Sequence, residues 1–225
     1  MEYRLWLAQR CRSVSLGDQS KYKARLAALL CVGAVVGAAV FLSRPATLPN
    51  LAKADAATLS SFKAHWAKGD MIVLVRHAER CDHSTAPCLG PADGITERGK
   101  SGAQSVGQQF QKLGMQNADI FSSPLTRAAQ TSGFMFNYAS VDQGWLFNCK
   151  KTMLADTLSH KVKGRNLVLV THSECFTALE KLMDLPESKT RDYGYSLFLT
   201  ASDDGLPPRM TGFVDADAWQ NVVGK

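Results

Sequence analysis

Two short apolar runs constrain the fold of this chain more than any other feature. Residues 71–75 read MIVLV and residues 166–170 read NLVLV. Such runs are typical of parallel strands that are buried on both faces of a sheet. Segments with helical spacing lie between them. The alternation predicts an α/β fold, specifically a three-layer sandwich in which a mostly parallel central sheet is flanked by helices.

Apolar spacing and turn residues predict the remaining elements. Helices are expected at 51–68, 96–113, 125–136, 152–162 and 176–183, and further strands at 118–121, 196–200 and 209–214. The last two strands are interpreted as edge strands. Prolines oppose helix in SRPATLPN after the N-terminal region, so residues 43–68 are predicted to form a linker and a lead-in helix, and residues 69–225 the main domain.

The N-terminal region has a different character. Residues 26–42 carry no charge over seventeen positions, and they follow a basic leader at 1–25. This pattern predicts a short transmembrane anchor that leaves the leader in the cytoplasm and exports the domain. A cleaved signal peptide and a buried soluble helix are the alternatives.

Most of the formal net charge of +6 also belongs to this region, since residues 1–44 hold seven basic and two acidic residues. The rest of the chain is nearly neutral. Nucleic-acid binding normally needs a concentrated basic face, so no nucleic-acid partner is expected.

Four of the six cysteines lie outside the leader and the apolar segment, at Cys81, Cys88, Cys149 and Cys175. An even number of cysteines in an exported domain suggests two disulfides. Four cysteines permit three pairings. The favoured one joins Cys81 to Cys88 and Cys149 to Cys175.

Basic residues and imidazoles follow the two apolar runs directly. Arg76 and His77 come after the first run and His172 after the second, while Arg127 lies just beyond the strand predicted at 118–121. In open α/β sheets the ligand crevice lies at the carboxyl ends of the strands. Guanidinium groups bind phosphate oxygens as a fork, and a neutral imidazole is a nucleophile near pH 7. The combination indicates phosphoryl transfer.

Four segments, in order, resemble motifs of the histidine phosphatase superfamily, which also contains the phosphoglycerate mutases. They are RHAE at 76–79, GITERG at 94–99, SSPLTRAAQT at 122–131 and TH at 171–172. The resemblance implies that His77 is phosphorylated during turnover and that Arg76, Arg127 and His172 hold the phosphate oxygens. Arg80 could contribute a further contact, and neither a metal nor a cofactor is expected.

A narrower resemblance involves RHAERCD at 76–82, the N-terminal apolar segment and the cysteines at 88, 149 and 175. Together these are similar to the lipopolysaccharide core heptose(II)-phosphate phosphatase family. The resemblance implies that the substrate is a phosphorylated sugar in the periplasm, in the lipopolysaccharide core. It also implies that the catalytic domain is tethered to the inner membrane or released after signal cleavage.

Several points stay open at the level of sequence. The proton donor to the leaving group is unassigned, with Glu79 and Glu174 as the first candidates and Asp82 as another. Zinc bound by His77 with Cys81 and by His172 with Cys175 is an alternative chemistry that the spacing allows. A membrane-tethered phosphate-binding module without turnover, or one directed at phosphohistidine or phosphoprotein, is the alternative function.

Overall fold

The computed structural model describes residues 21–23, 25–33, 48–137, 141–185, 191–201 and 207–224. The chain divides into a unit at 1–45 and a larger unit at 46–225. In the first unit, residues 21–23 and 25–33 are helical with exposed side chains. No helix in the described ranges is long and apolar enough to cross a membrane. Residues 34–42 of the predicted span lie outside the described residues.

The larger unit is built on a six-stranded sheet with strand order β3-β2-β4-β1-β5-β6. The strands are β1 (Met71–Arg76), β2 (Ala118–Ser122), β3 (Val141–Asp142), β4 (Asn166–Thr171), β5 (Ser196–Thr200) and β6 (Arg209–Val214). Strands β1 to β4 are parallel where they pair, whereas β5 is antiparallel to both β1 and β6. The predicted α/β fold is confirmed, and the sheet is mixed.

Within the described residues of the larger unit, six α-helices accompany the sheet: α1 (Ala56–Lys68), α2 (Glu97–Leu113), α3 (Thr126–Phe136), α4 (Met153–His160), α5 (Ser173–Leu182) and α6 (Gln220–Val223). Helix α1 begins later than predicted because Asp55 caps it, its side chain accepting a hydrogen bond from the backbone N–H of Thr58 at 2.8 Å. Residues 51–53 form a separate 3-10 turn. Helix α5 begins three residues earlier than predicted, immediately after His172.

The two-residue period of the central strands distributes the core over both faces of the sheet. Val73 and Val75 of β1 pack with apolar residues of α1, α2 and α3, and Ile72 and Leu74 pack with those of α4 and α5. Strand β4 divides its residues in the same way. Helices therefore cover both faces, which is why β1 and β4 read as continuous apolar runs.

One prediction about the sheet is wrong. Strand β5 is not an edge strand, since it lies between β1 and β6 and is buried over Ser196–Leu199. The sequence between these strands contains GLPP at 205–208, but a local pattern does not encode which strand edges pair in space. The short strand β3 was not predicted, because two residues carry no periodic pattern.

Candidate active site

The register of β1 and β4 brings the two histidines to one rim of the sheet. Arg76 is opposite Thr171 in the parallel ladder, so His77 and His172 each follow the last paired residue of a neighbouring strand. The backbone N–H of His77 extends the ladder by donating to the carbonyl of Thr171 at 2.9 Å. The imidazole rings end up with their centroids 5.2 Å apart. Adjacent parallel strands thus place two residues that are 95 positions apart in sequence on one site.

The hydrogen bonds of His77 decide which of its nitrogens can react. The side chain is only 3% exposed, and Nδ1 lies 2.8 Å from the carbonyl oxygen of Ala78. A carbonyl oxygen can only accept, so Nδ1 carries the proton and Nε2 keeps its lone pair. Burial above all, with smaller effects of the charges of Arg127 and Arg76, lowers the pKa of His77 to about 3 despite the opposing hydrogen bond to Ala78. The imidazole is therefore neutral at physiological pH.

His172 is held the other way round. Its Nε2 lies 2.8 Å from the hydroxyl oxygen of Ser123, while Nδ1 is buried and has no partner among the described residues. Burial, assisted by the charge of Arg127, lowers the pKa of His172 to about 4. Ser123 lies in the SSPL segment, but sequence alone did not distinguish its role from that of Ser122. The two histidines thus form their hydrogen bonds through different nitrogens, Nδ1 in His77 and Nε2 in His172.

Two arginines add positive charge at this rim. Arg76 donates from Nη1 to the carbonyl of Arg191 and lies under the ring of Tyr193, with 4.4 Å from the guanidinium carbon to the ring centroid. Arg127 belongs to the first turn of α3. The Nε atoms of Arg76 and Arg127 are buried without a partner within the described part of the chain. Burial lowers the pKa of both guanidinium groups.

Three buried polar atoms on residues of this rim thus have no partner among the residues that the structure describes: the Nε atoms of Arg76 and Arg127 and Nδ1 of His172. A buried donor without a hydrogen bond costs about 1–3 kcal/mol, more when it is charged. A bound oxyanion could satisfy all three, because each phosphate oxygen accepts several hydrogen bonds. The arrangement suits a phosphate group placed between the two imidazoles.

The structure separates the two candidate acids. Glu79 is bound by Arg98, with Nε to Oε2 at 2.9 Å, and accepts from the hydroxyl of Thr96 at 2.7 Å. The Arg98 hydrogen bond lowers the pKa of Glu79 to about 2 despite the opposing effect of burial. Glu174 instead lines a cavity of about 360 Å³ together with Arg127 and His172. Burial raises the pKa of Glu174, but its own backbone N–H and nearby positive groups outweigh this and lower it overall.

Arg80 has a partner of its own. Its Nε donates to Oδ1 of Asp82 at 2.8 Å, and a second contact joins the same two side chains. That hydrogen bond raises the pKa of Arg80. The charge of Arg80 still lowers the pKa values of His172 and Arg127, so the Arg80 guanidinium lies near these two side chains. A phosphate-binding role for Arg80 remains a prediction.

The cysteines lie in the favoured pairs. Cys81 is joined to Cys88 and Cys149 to Cys175, with 5.4 Å between the Cα atoms in each pair. The zinc alternative required Cys81 and Cys175 as thiolate ligands. Both sulfurs are instead joined to another cysteine.

Tyr193 and Arg191 belong to the site but had no recognised signal in the sequence. The ring of Tyr193 lies 5.7 Å from that of His77 and stacks on Arg76. Arg191 forms an ion pair with buried Glu180 and donates to the carbonyl of Ser173 at 3.1 Å. Both residues precede β5, and only the pairing of β5 beside β1 brings them to the rim. Local sequence patterns do not show which strand pairs with β1, so they could not place these two residues at the rim.

Comparison with known proteins is consistent with this geometry. Residues 72–139 match the model of the histidine phosphatase superfamily, branch 1. Proteins named lipopolysaccharide core heptose(II)-phosphate phosphatase from Salmonella arizonae and Salmonella typhimurium are 36% and 35% identical over 115 residues. The match covers 49% of this chain and 56% of each relative, so it spans about half the length of these curated proteins.

Among solved structures, a phosphoserine phosphatase mutant from Entamoeba histolytica shares the fold, with a TM-score of 0.51 and 16% identity. The alignment covers 66% of this chain and 98% of that structure. At this identity the likeness concerns the fold alone. The matching segment at 72–139 contains Arg76, His77 and Arg127, and β4 adds His172 beside them. Residues 72–139 of this chain are therefore similar to the histidine phosphatase superfamily.

Proposed function

We propose that this protein is a phosphomonoesterase that works through a phosphohistidine at His77. The observation that carries the proposal is the set of unpartnered buried atoms around a neutral imidazole. Nδ1 of His77 is hydrogen-bonded to the Ala78 carbonyl. The side chains of Arg76, Arg127 and His172 lie near the His77 ring. A nucleophile beside three anion-binding groups is the arrangement that phosphoryl transfer requires.

The reaction has two steps. Nε2 of His77 uses its lone pair to form a bond to phosphorus, and the bond from phosphorus to the ester oxygen breaks with its electron pair on that oxygen. Water then attacks the phosphorus of the phosphohistidine and gives one proton to the carboxylate that protonated the leaving oxygen. The P–N bond breaks with its electron pair on Nε2, which restores the neutral imidazole. In both steps the arginines and His172 stabilise the negative charge on the non-bridging oxygens. The proton stays on Nδ1, whose hydrogen bond to the Ala78 carbonyl fixes the ring orientation.

Glu174 is proposed as the group that delivers a proton to the leaving oxygen. It shares a cavity with Arg127 and His172, whereas Glu79 is held by Arg98 and Thr96. Both carboxylates have lowered pKa values in the absence of a bound anion. A phosphate placed beside Glu174 would raise the pKa of that carboxyl, because like charges disfavour ionisation. Glu79 does not line this cavity, so the bound phosphate is not expected to raise the pKa of Glu79 in the same way.

The proposed substrate is a phosphorylated sugar, specifically heptose phosphate of the lipopolysaccharide core, in the periplasm. The support comes from the names of the curated relatives and from the two cysteine pairs, which need an oxidising compartment. The uncharged segment at 26–42 would tether the domain to the inner membrane or be removed on export. The whole protein acts at the membrane surface in this proposal.

The general activity is tested with the full chain and p-nitrophenyl phosphate. His77→Ala is expected to abolish turnover and the phosphoenzyme, which can be trapped with ³²P-labelled substrate and recognised by its acid lability. His83→Ala is the matched control, because His83 is an exposed histidine in a short 3-10 turn. Phosphate binding without turnover in the unaltered protein would favour the non-catalytic binding module instead.

The substrate is tested in cells. Mass spectrometry of the lipopolysaccharide core from cells with and without the protein should differ by one phosphate, and the difference should disappear with His77→Ala. An unchanged core together with normal aryl phosphatase activity would reject the heptose assignment and leave the general activity intact.

A further inference from the structure

The cavity at the phosphate site extends beyond the residues that the chemistry needs. Besides Arg127, His172 and Glu174, it is lined by Phe147, Asn148, Cys149 and Lys150. The last four belong to one segment between a 3-10 turn (Gly144–Leu146) and α4, referred to here as the 147–150 loop. The loop therefore shares one cavity with His172 and with Glu174, the proposed proton donor to the leaving group.

The loop is exposed but held in place. Cys149 is buried and joined to Cys175, which lies in the first turn of α5, three residues after His172. The hydroxyl of Thr171 donates to the carbonyl of Leu146 at 2.7 Å, just before the loop. The loop is therefore anchored on both sides to the segment that carries His172. A preorganised loop loses little conformational entropy when it binds a ligand.

The side chains of the loop are available to a ligand. Phe147 is 51% exposed, although its ring lies 6.2 Å from that of His172. Asn148 and Lys150 are exposed and form no side-chain hydrogen bond or ion pair within the described residues. An aromatic face can pack on the C–H groups of a sugar ring, an amide can bind hydroxyls as donor and acceptor, and an ammonium group binds an anion.

We propose that the 147–150 loop is a leaving-group subsite for a polyhydroxylated substrate that carries a second anionic group. Lys150 binds that second anion, Phe147 packs on the carbon skeleton and Asn148 binds hydroxyl groups. The inference rests on the proposed phosphatase function and narrows its substrate class. A sugar phosphate with no second anionic group would leave the Lys150 ammonium group without an anionic partner in the complex.

The test compares two substrates that differ only in the second anion. In 6-phosphogluconate a carboxylate replaces the terminal hydroxymethyl group of sorbitol 6-phosphate, and each molecule has one phosphate ester. The full-length protein is expected to show a higher kcat/KM for 6-phosphogluconate. Lys150→Gln should lower the ratio of the two kcat/KM values about fivefold, as expected for a partly exposed ion pair. The decrease should shrink at high salt.

Lys151→Gln is the matched control, since Lys151 is the next residue, is exposed and does not line the cavity. An unchanged ratio in Lys150→Gln, or an equal decrease in Lys151→Gln, would overturn the assignment of the subsite. If the protein binds both compounds but hydrolyses neither, the proposed function fails. The ratio of the two dissociation constants, measured by calorimetry for the same variants, then tests the loop separately.

Discussion

The two histidines of the site come from equivalent positions on neighbouring strands, yet they are held in opposite ways. His77 hydrogen-bonds through Nδ1 to a backbone carbonyl, whereas His172 bonds through Nε2 to the hydroxyl of Ser123. The other nitrogen of each ring has no hydrogen bond to the described part of the chain. A backbone carbonyl can only accept, so it dictates the tautomer of His77. A serine hydroxyl can donate or accept and leaves the tautomer of His172 open. The comparison suggests a fixed nucleophile beside an adaptable anion ligand.

The first test of this contrast is His172→Ala. Removing one group that stabilises the transition state typically costs about 10²–10³ in kcat. We expect a decrease of this size with p-nitrophenyl phosphate, while the phosphoenzyme still forms at a lower rate because His77 is intact. Rapid-quench trapping of the phosphoenzyme measures the rate at which it forms. A His172→Ala protein that forms no phosphoenzyme, compared with a His77→Ala protein that does, would reverse the two roles.

The second test concerns the carboxylate that lies beside His172. Glu174→Gln should lower kcat about 100-fold for an alkyl phosphate such as glycerol 2-phosphate, since general acids contribute about 10²–10⁴. The decrease should be several-fold at most for p-nitrophenyl phosphate, because nitrophenolate leaves without a proton.

Glu79→Gln provides the comparison for this second test, since Glu79 is the other candidate acid. Its effect should be similar for both substrates, because Glu79 is bound to Arg98 and Thr96. Equal losses on the two substrates in Glu174→Gln would remove Glu174 as the acid.

The smallest expected effect is on the pH dependence of stability. The pKa of His77 is lowered to about 3 from an ordinary value of 6.5, so the unfolded state binds more protons between these pH values. The stabilisation from a neutral His77 is complete above pH 6.5 and is lost as the pH falls toward 3. His77→Ala should therefore lose less unfolding free energy than the unaltered protein between pH 7 and pH 4.5, by about 2–3 kcal/mol.

Urea unfolding at the two pH values measures this difference. His83→Ala should follow the unaltered protein, because His83 is exposed. His172 should contribute in the same direction with a smaller amplitude, since its pKa is lowered only to about 4. A pH dependence in His77→Ala identical to that of the unaltered protein would show that burial does not hold His77 neutral.

Much of the fold was accessible from local patterns. The helix bounds at α2 and α3 and the strand bounds at β1, β4, β5 and β6 agree with the predictions to within one residue, because apolar periodicity and turn residues are local properties. The internal position of β5 was missed, since strand order depends on which edges pair in space. Tyr193 was not predicted to lie in the site, because it reaches His77 only through the pairing of β5 with β1.

By itself the sequence determined which residues follow the buried strands, and hence that His77, Arg76 and His172 share one rim with Arg127. Side-chain period and strand direction suffice for that inference. Only the tertiary structure decided which nitrogen of each imidazole is free, which carboxylate faces the cavity and where the 147–150 loop lies. Those properties depend on contacts between residues far apart in the chain, such as His172 with Ser123 and Cys149 with Cys175, which no local pattern encodes.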